Sequence, residues 1–261
     1  MAPNIIVCVK SVLLETPQKG SGGKIVRSAE ACALNPFDRP ALELALCLKE
    51  KQQGSVTALS MGPPASAGAL YEALAMGADR AVLLSDPALA ESDTFATSTA
   101  LAAAVSRLAP FDLVIFGART ADSDTAQVGP QTAVCLGLPL LSLAVQVEPD
   151  PGGVRVKRRE DGFVEDYEAA LPLALTIHPN AVLPRDVGLS GIGRAFDRTG
   201  LETWTIQDIG LAPEQTGQRG SHTEVLSMEP AAKKRTCAFL SGALENQAAE
   251  LIKMLMDAGL V

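Results

Sequence analysis

Short apolar runs rich in β-branched residues alternate with segments of helical spacing through residues 1–150. This alternation predicts parallel strands joined by crossover helices, an α/β fold with a doubly wound, mostly parallel sheet. The predicted strands are 4–9, 55–60, 81–84, 113–116 and 140–147, and the predicted helices are 38–53, 65–76, 93–108 and 125–136. Asp38 and either Asp93 or Thr94 are the expected N-caps of their helices. Sheets of this kind bind ligands beyond the carboxyl ends of their strands.

The pattern changes after the turn at 149–153. Residues 154–159 and 164–169 predict an antiparallel hairpin, and 173–177 predict a strand that returns to the sheet. Beyond His178, frequent glycine and proline leave only 246–258 with helical spacing. We therefore expect an α/β domain over 1–184 and an extended C-terminal arm with a terminal helix over 185–261. An arm with so little core of its own is expected to pack on a partner.

Composition and charge exclude several classes of function. The 261 residues are 47% hydrophobic, which is enough for a substantial core. A formal net charge of −8 argues against nucleic-acid binding, which requires a basic surface. The sequence has no basic amphipathic stretch, so it does not predict binding to a membrane surface. The apolar run at 5–9 is too short for a signal peptide or a membrane span.

Cysteine and histidine usage points to a cytoplasmic protein without a resident metal. The five cysteines are scattered, odd in number and without a C-x-x-C pair, as expected for reduced thiols. The two histidines, His178 and His222, lie far apart in sequence and do not predict a histidine-rich metal site.

The most informative local motif is the stretch 117–132, which runs from a strand end through a small polar loop into a helix. Free amides at a helix N-terminus can cradle a phosphate. In this interpretation Gly129 lets the backbone approach the anion, while Thr125 and Thr132 add hydroxyl donors. The alternative is an ordinary helix start capped by Asp122 or Asp124. No Walker loop and no G-x-G-x-x-G fingerprint is present.

Three other short motifs lie at strand ends or a helix start. Asn35-Pro36-Phe37-Asp38 is typical of a turn and cap, and Gly62 either admits a flat ring or belongs to an ordinary turn. Thr94 and Thr97, one helical turn apart, either present hydroxyls to a ligand or belong to a capped helix in which Thr97 bonds back to its own turn.

Taken together, these motifs resemble a known family. Val9-Lys10, the 35–38 turn, Ala75-Met76-Gly77-Ala78-Asp79 and the aspartate-rich turn through Gly129 resemble, in order and spacing, the beta subunit of electron-transfer flavoproteins. The resemblance implies a Rossmann-like domain that holds an adenine nucleotide and forms an obligate heterodimer with an alpha subunit. In ordinary members the nucleotide is AMP, and the redox FAD lies mainly on the alpha subunit.

Four stretches, 60–64, 92–98, 124–130 and 220–223, resemble the electron-bifurcating branch of that family. There a second FAD replaces AMP, and NADH delivers a hydride beside it. The resemblance implies an adenosine site, a phosphate site, an approach of Phe37 to the flavin of the partner subunit, and contacts from Thr94 and Thr97 to the flavin in the cleft. The predicted cofactor-binding residues are Val9, Asn35, Phe37, Asp38, Ser60, Met61, Gly62, Asp93, Thr94, Thr97, Asp122, Asp124, Thr125, Ala126, Gln127, Val128, Gly129 and Thr132.

The predicted function is electron transfer: electrons from NADH, from an acyl-CoA dehydrogenase or from both pass to other acceptors. FAD is expected in the cleft, and no side chain is expected to act as a catalytic group. Leu189 matches the position at which the family anchors its dehydrogenase partner. A non-bifurcating subunit with AMP is the alternative. A stand-alone adenine-nucleotide enzyme or sensor is the more distant one.

Overall fold

The computed structural model describes residues 2–13, 32–197, 200–227 and 237–260. The stretch 14–31, which includes a turn expected at 20–23 and a short hairpin expected at 24–27, lies outside the described residues. The chain divides into two compact units, Met1–Glu224 and Val225–Val261.

Strands and helices alternate through the first unit. The strands are β1 Asn4–Cys8, β2 Ser11–Leu13, β3 Cys32–Leu34, β4 Ser55–Met61, β5 Arg80–Leu84, β6 Leu113–Gly117, β7 Leu140–Asp150, β8 Gly153–Glu160, β9 Phe163–Ala169, β10 Leu173–Ile177 and β11 Leu201–Trp204. The helices are α1 Arg39–Gln52, α2 Ala67–Met76, α3 Thr94–Arg107, α4 Val128–Leu136, α5 Leu189–Phe196 and α6 Gly217–Gly220. Each α/β element predicted from the pattern is present with small shifts at its ends.

Nine strands of the described residues form the main sheet in the order β11-β5-β4-β1-β6-β10-β7-β8-β9. The pairs from β11 through β7 are parallel, and only β7–β8 and β8–β9 are antiparallel. The chain therefore moves outward from β1 through β4 to β5 and then returns to the other side of β1 as β6. The fold is the predicted α/β class, and its strand order reverses between β1 and β6.

Two apolar layers cover the two faces of this sheet. Along β1, Ile5 and Val7 contact the layer that contains α1 and α2, whereas Ile6 and Cys8 contact the layer that contains α3. Successive strand residues point to opposite faces, so a strand covered on both sides must be apolar at every position. The continuous apolar run at the start of the chain has this cause.

The segment after residue 184 differs from the extended arm that the sequence predicts. It forms the short helix α5 and then β11, which pairs in parallel with β5 at the edge of the sheet. Arg185 also bonds Glu43 and Glu50 of α1, with Nε 2.8 Å from Glu43 and Nη1 2.6 Å from Glu50. These long-range contacts place residues up to Glu224 within the first compact unit. A four-residue edge strand has too little pattern to be recognised in sequence.

The second unit contains helix α7, Leu244–Asp257, close to the helix predicted at 246–258. Its apolar residues recur at helical spacing, with Leu244, Leu251 and Leu255 on one side. No residue of this helix is buried.

Within the described part of the chain, no helix combines the length and the apolarity needed to cross a membrane.

Candidate functional site

The candidate site lies at the carboxyl edge of the sheet where the strand order reverses. β1 and β6 are neighbours in parallel register, with Cys8 opposite Phe116. Val9 and Gly117 therefore follow at the same level. Val9 is buried and donates its N–H to the carbonyl oxygen of Leu59 at 2.8 Å. In open α/β sheets the reversal point is where ligands bind, because the loops leaving the two strands diverge there.

The turn Asn35–Asp38 lies at this edge and forms hydrogen bonds to the backbone that follows both strands. The buried Asn35 side chain donates from Nδ2 to the carbonyl oxygen of Arg119 at 2.9 Å and accepts the N–H of Ala121 at 3.2 Å. The Asp38 carboxylate accepts the N–H of Lys10 at 2.7 Å. These side chains contact the backbone of the site loops, so both predicted residues belong to the framework of the site.

Asp38 occupies the N-cap position of α1, as predicted, but does not cap the helix with its side chain. Its carboxylate instead faces the N–H groups of Lys10 and Gly117. Burial raises the pKa of Asp38 to about 7, against the opposing hydrogen bonds from Lys10, Asn35 and Gly117. The neighbouring Cys8 thiol is buried too, and its pKa is raised by burial and by Asp38.

The loop from β6 to α4 has a strained backbone. Asp124 and Ala126 both adopt left-handed conformations, with φ of 49° and 55°, on either side of Thr125. Such conformations cost energy in residues with a side chain and cluster at ligand-binding turns. Alternation of left-handed and ordinary residues turns successive N–H groups toward one side of the backbone, as in anion-binding concavities.

The two aspartates of this loop are paired with cations and do not cap α4. Asp122 Oδ1 lies 2.7 Å from Lys10 Nζ, and Asp124 Oδ2 lies 3.6 Å from Arg119 Nη1. Partial burial works against ionised Asp122, but its bonds to Lys10, Thr120 and Ser123 outweigh this effect and lower its pKa. The ordinary capped-helix interpretation of the motif is therefore wrong, because both carboxylates are engaged elsewhere.

α4 begins at Val128, three residues later than the sequence predicts, and no side chain in the described part of the chain caps it. Its N-cap residue is Gln127. Thr125, Ala126 and Gln127 are exposed in the loop that precedes the helix. The N–H groups of Val128 and Gly129 therefore meet no capping side chain, and Pro130 has no N–H, so two backbone donors suit a phosphate at this helix end.

Gly129 and Thr132 have structural roles that the sequence does not predict. A Cβ on Gly129 would lie 3.1 Å from Thr176 Cγ2 and 3.2 Å from Phe116 Cγ, so the missing side chain lets α4 pack closely on β6 and β10. Thr132 is fully buried, and its hydroxyl donates to the carbonyl oxygen of Val128 at 2.7 Å. The hydroxyl of Thr132 is therefore not the phosphate donor that the motif predicts.

The N-terminus of α3 lies beside that of α4 but is closed. Asp93 caps it, as predicted, by accepting the N–H of Ala96 at 2.9 Å. The same carboxylate accepts the N–H groups of His222 and Thr223 at 2.8 and 3.0 Å. The His222 ring stacks on Phe95, with 4.2 Å between centroids. Two stretches singled out in sequence, 92–98 and 220–223, thus meet at one helix end.

Thr94 and Thr97 are partly exposed on the first turn of α3. Thr94 Oγ1 donates to Gln127 Oε1 at 3.2 Å and so links the two helix N-termini. Thr97 does not bond back to its own turn, unlike Ser98 and Thr99, whose hydroxyls donate to the carbonyls four residues earlier. Among the described residues, the Thr97 hydroxyl has no hydrogen-bond partner.

The end of β4 supplies a buried polar atom without a partner. Ser60 is fully buried, and its Oγ makes no hydrogen bond to any described residue. Met61 is partly buried against the α3 layer. Gly62 does not leave open space for a ring, because the Ser66 side chain fills the position of its missing Cβ. The unpaired Ser60 hydroxyl is a polar group that a ligand at this edge can satisfy.

Sequence reasoning missed two cations of the site, Lys10 and Arg119. The Arg119 guanidinium lies 4.5 Å from the ring centroid of Phe37, a cation–π arrangement that covers one face of this ring. The sequence contained a signal for each of them: Lys10 directly follows a buried strand, and Arg119 lies two residues after the end of another.

Leu189 lies apart from the cleft residues, at the start of α5, and 89% of its surface is exposed. Leu183, in the preceding loop, is 91% exposed. The structure thus gives Leu189 the exposure that docking requires.

The fold and the open helix end define a doubly wound α/β protein of the class that binds its ligand at the reversal point of the sheet. Residues 22–200 match the electron transfer flavoprotein domain family. The chain is 40% identical over 225 residues to the electron transfer flavoprotein subunit beta of Clostridium acetobutylicum. The aligned region covers 85% of this chain and 86% of that protein. The chain therefore belongs to the electron transfer flavoprotein family, as a beta-type electron transfer subunit.

Two other relatives have names that refer to CoA-ester reductases. The chain is 39% identical to the caffeyl-CoA reductase–Etf complex subunit CarD of Acetobacterium woodii, over 88% of both chains. It is 36% identical to the acryloyl-CoA reductase electron transfer subunit gamma of Anaerotignum propionicum, over 97% of this chain and 98% of that protein.

Proposed function

We propose that this beta-type subunit binds FAD in the cleft at the carboxyl edge of β1, β4 and β6. With an alpha subunit, it would move electrons between NADH, an acyl-CoA dehydrogenase or both, and other acceptors by flavin-based bifurcation. The observation that carries the proposal is the uncapped N-terminus of α4 behind the strained 118–127 loop. An AMP in the same cleft remains the alternative, because it needs the same phosphate site.

The residues of the cleft fit a dinucleotide. The unpaired hydroxyl of Ser60 and the buried Val9 suit the adenosine end, and the amides of Val128 and Gly129 suit the phosphates. Lys10 and Arg119 offset the charges of Asp122 and Asp124, which would otherwise repel an anion. The side chains in the site orient and shield the ligand, and the proposal assigns none of them an acid or base role.

Extension of the site to α3 favours FAD over AMP. AMP needs only the adenosine and phosphate positions, whereas FAD needs polar partners for a ribityl chain and a ring. The hydroxyls of Thr94 and Thr97 lie beside the phosphate loop, joined to it by the bond from Thr94 to Gln127. When bound, FAD supplies hydride and single-electron transfer chemistry, and the protein supplies position and electrostatics.

The test is to identify the nucleotides in the purified heterodimer. We expect denaturation to release two FAD per heterodimer and no AMP, measured by chromatography against standards. Equal amounts of FAD and AMP would overturn the FAD assignment and leave the family intact. One FAD and no AMP per heterodimer would overturn the nucleotide site of this subunit itself, because that FAD is the one expected on the alpha subunit.

The proposal also includes two protein partners. The exposed apolar side of α7 suits burial against the alpha subunit, with which beta subunits of this family pair. Leu189 suits an anchor for an acyl-CoA dehydrogenase or similar flavoenzyme. Leu189→Ala should then weaken electron transfer to that enzyme, at a cost of about 1–3 kcal/mol, with flavin content unchanged. Unchanged transfer kinetics across a titration of the dehydrogenase would contradict the docking role.

A further inference from the structure

The Asp38 carboxylate is the most deeply buried charge-bearing group of the site, and it faces the backbone of the site loops. It is 4% exposed, and the neutral side-chain amide of Asn35 donates a hydrogen bond to it. Its Oδ2 accepts the N–H of Lys10 at 2.7 Å. Its Oδ1 fills the space that a side chain on Gly117 would need. Asp38 therefore touches the ends of both strands that flank the reversal point.

From there, contacts continue into the phosphate loop. Lys10, held by Asp38 through its N–H, also accepts the N–H of Asn35 at 2.9 Å on its carbonyl oxygen. The Lys10 ammonium then bonds Asp122 Oδ1 at 2.7 Å and Ser123 Oγ at 3.1 Å. On the β6 side, the turn that carries Asp38 holds the loop through the Asn35 side chain, which donates to the carbonyl oxygen of Arg119 and accepts the N–H of Ala121.

We propose that Asp38 is a positioning residue that shapes the 118–127 loop for the nucleotide's phosphate by holding the Lys10 and Gly117 backbone, without touching the nucleotide itself. This inference rests on the proposed function, because it assigns the phosphate to that loop. The titratable and charged groups that face Asp38 are Cys8 and Lys10 of the first strand end. Ionised Asp38, which predominates above pH 7, is an acceptor-only group and suits two N–H donors, whereas an amide would turn its own N–H₂ toward one of them.

The test compares AMP with adenosine, which lacks the phosphate, on the heterodimer depleted of bound nucleotide. Asp38→Asn keeps the shape of the side chain and removes one acceptor. We expect AMP affinity to fall roughly 10- to 100-fold while adenosine affinity changes by less than about twofold. A general folding defect would weaken the binding of both ligands alike. An equal loss of affinity for adenosine and for AMP would therefore overturn the inference. Wild-type AMP affinity in Asp38→Asn would overturn it as well.

The opposite end of the same strand offers a matched control. Asp112 Oδ2 accepts the N–H of Asn4 at 2.7 Å, the same kind of bond at the amino edge of the sheet. Asp112→Asn should lower the melting temperature and leave the AMP-to-adenosine affinity ratio unchanged. A shift of that ratio as large as that in Asp38→Asn would show that any carboxylate bound to β1 has this effect, and would overturn the inference.

A second variant decides the question if Asp38→Asn does not assemble with the alpha subunit. Lys10→Met keeps the N–H that Asp38 accepts and removes only the connection from Lys10 to Asp122 and Ser123. AMP binding should weaken with adenosine binding unchanged, and unaltered AMP affinity would overturn the inference. The nucleotide released from the wild-type heterodimer tests the proposed function separately, because either FAD or AMP would need the same loop.

Discussion

The N-termini of α3 and α4 lie side by side in the same layer, joined by the bond from Thr94 to Gln127, and differ in one respect. At α3, Asp93 caps the helix and also binds the backbone of residues 222–223. At α4, no side chain caps the helix, and the two nearby aspartates pair with Lys10 and Arg119. A helix end that the protein satisfies itself stabilises the fold, whereas one left open provides donors for a ligand.

The close packing of α4 on the sheet should be the most sensitive feature of the open helix end. Gly129→Val places a side chain against Thr176 and Phe116, where a Cβ alone lies within 3.1–3.2 Å. We expect a loss of about 1–3 kcal/mol in unfolding free energy together with loss of nucleotide, because α4 must move outward. Gly68→Ala in α2, where no atom lies within 4 Å of the added Cβ, is the control. Retention of wild-type stability and nucleotide by Gly129→Val would contradict this packing role.

The polar extension on α3 can be removed without disturbing its cap. Thr94→Val with Thr97→Val keeps the shape of both side chains and should cost about 1–3 kcal/mol of flavin affinity by leaving polar flavin atoms unpaired. We expect selective loss of one FAD and of NADH oxidation, measured by absorbance and by the released nucleotide. Thr99→Val is the control, since that hydroxyl bonds only the carbonyl oxygen of Phe95 in its own helix. Full flavin content in the double variant would remove the main argument for FAD over AMP.

The difference between the helix ends can also be reduced by placing a carboxylate at α4. Gln127→Asp adds a negative charge at the N-cap position of that helix. The helix dipole should favour it by about 0.3–1 kcal/mol in the nucleotide-free protein, and like-charge repulsion should weaken phosphate binding by about 1 kcal/mol. Melting and AMP titration should therefore shift in opposite directions. Gln127→Asn, which adds no charge, is the control, and tighter AMP binding by Gln127→Asp would contradict an anion site at α4.

The smallest expected effect is a contrast in pH dependence between Asp93 and Asp38. Partial burial opposes ionised Asp93, but the donors Ala96, His222 and Thr223 prevail and lower its pKa. Its stabilising contribution is therefore present above its unfolded pKa of about 4 and is lost as pH falls through the lower folded value. The pKa of Asp38 is about 7 because of burial, so its contribution to stability grows as pH falls from about 7 to about 4.

Urea unfolding from pH 3 to pH 8 measures this contrast. The difference in stability between the wild type and Asp93→Asn should shrink at the acid end. The difference between the wild type and Asp38→Asn should increase as pH falls from 7 to 4. Differences that change in the same direction for both variants would contradict the opposite pKa shifts.

Much of the fold was predictable because strands buried on both faces must be apolar throughout and crossover helices must show their own period. The cap at Asp93 was also predictable, since a carboxylate before a helical pattern bonds the amides of its own first turn. The cap at Asp38 was predicted on the same grounds, but its carboxylate bonds Lys10 instead. Local sequence gives the residue type that suits a cap, and the distant donor decides whether it is used as one.

The sequence by itself determined the α/β class, the strand that precedes each site loop and the stretches that carry the site, because these depend on periodicity and on neighbours along the chain. Tertiary structure decided what each side chain in those stretches does. Thr132 bonds within its helix, Gly129 serves packing, and Asp122 is neutralised by Lys10, which lies more than a hundred residues away in sequence. These roles depend on which strand ends the sheet brings together, and strand order is a property of the folded chain that local spacing does not contain.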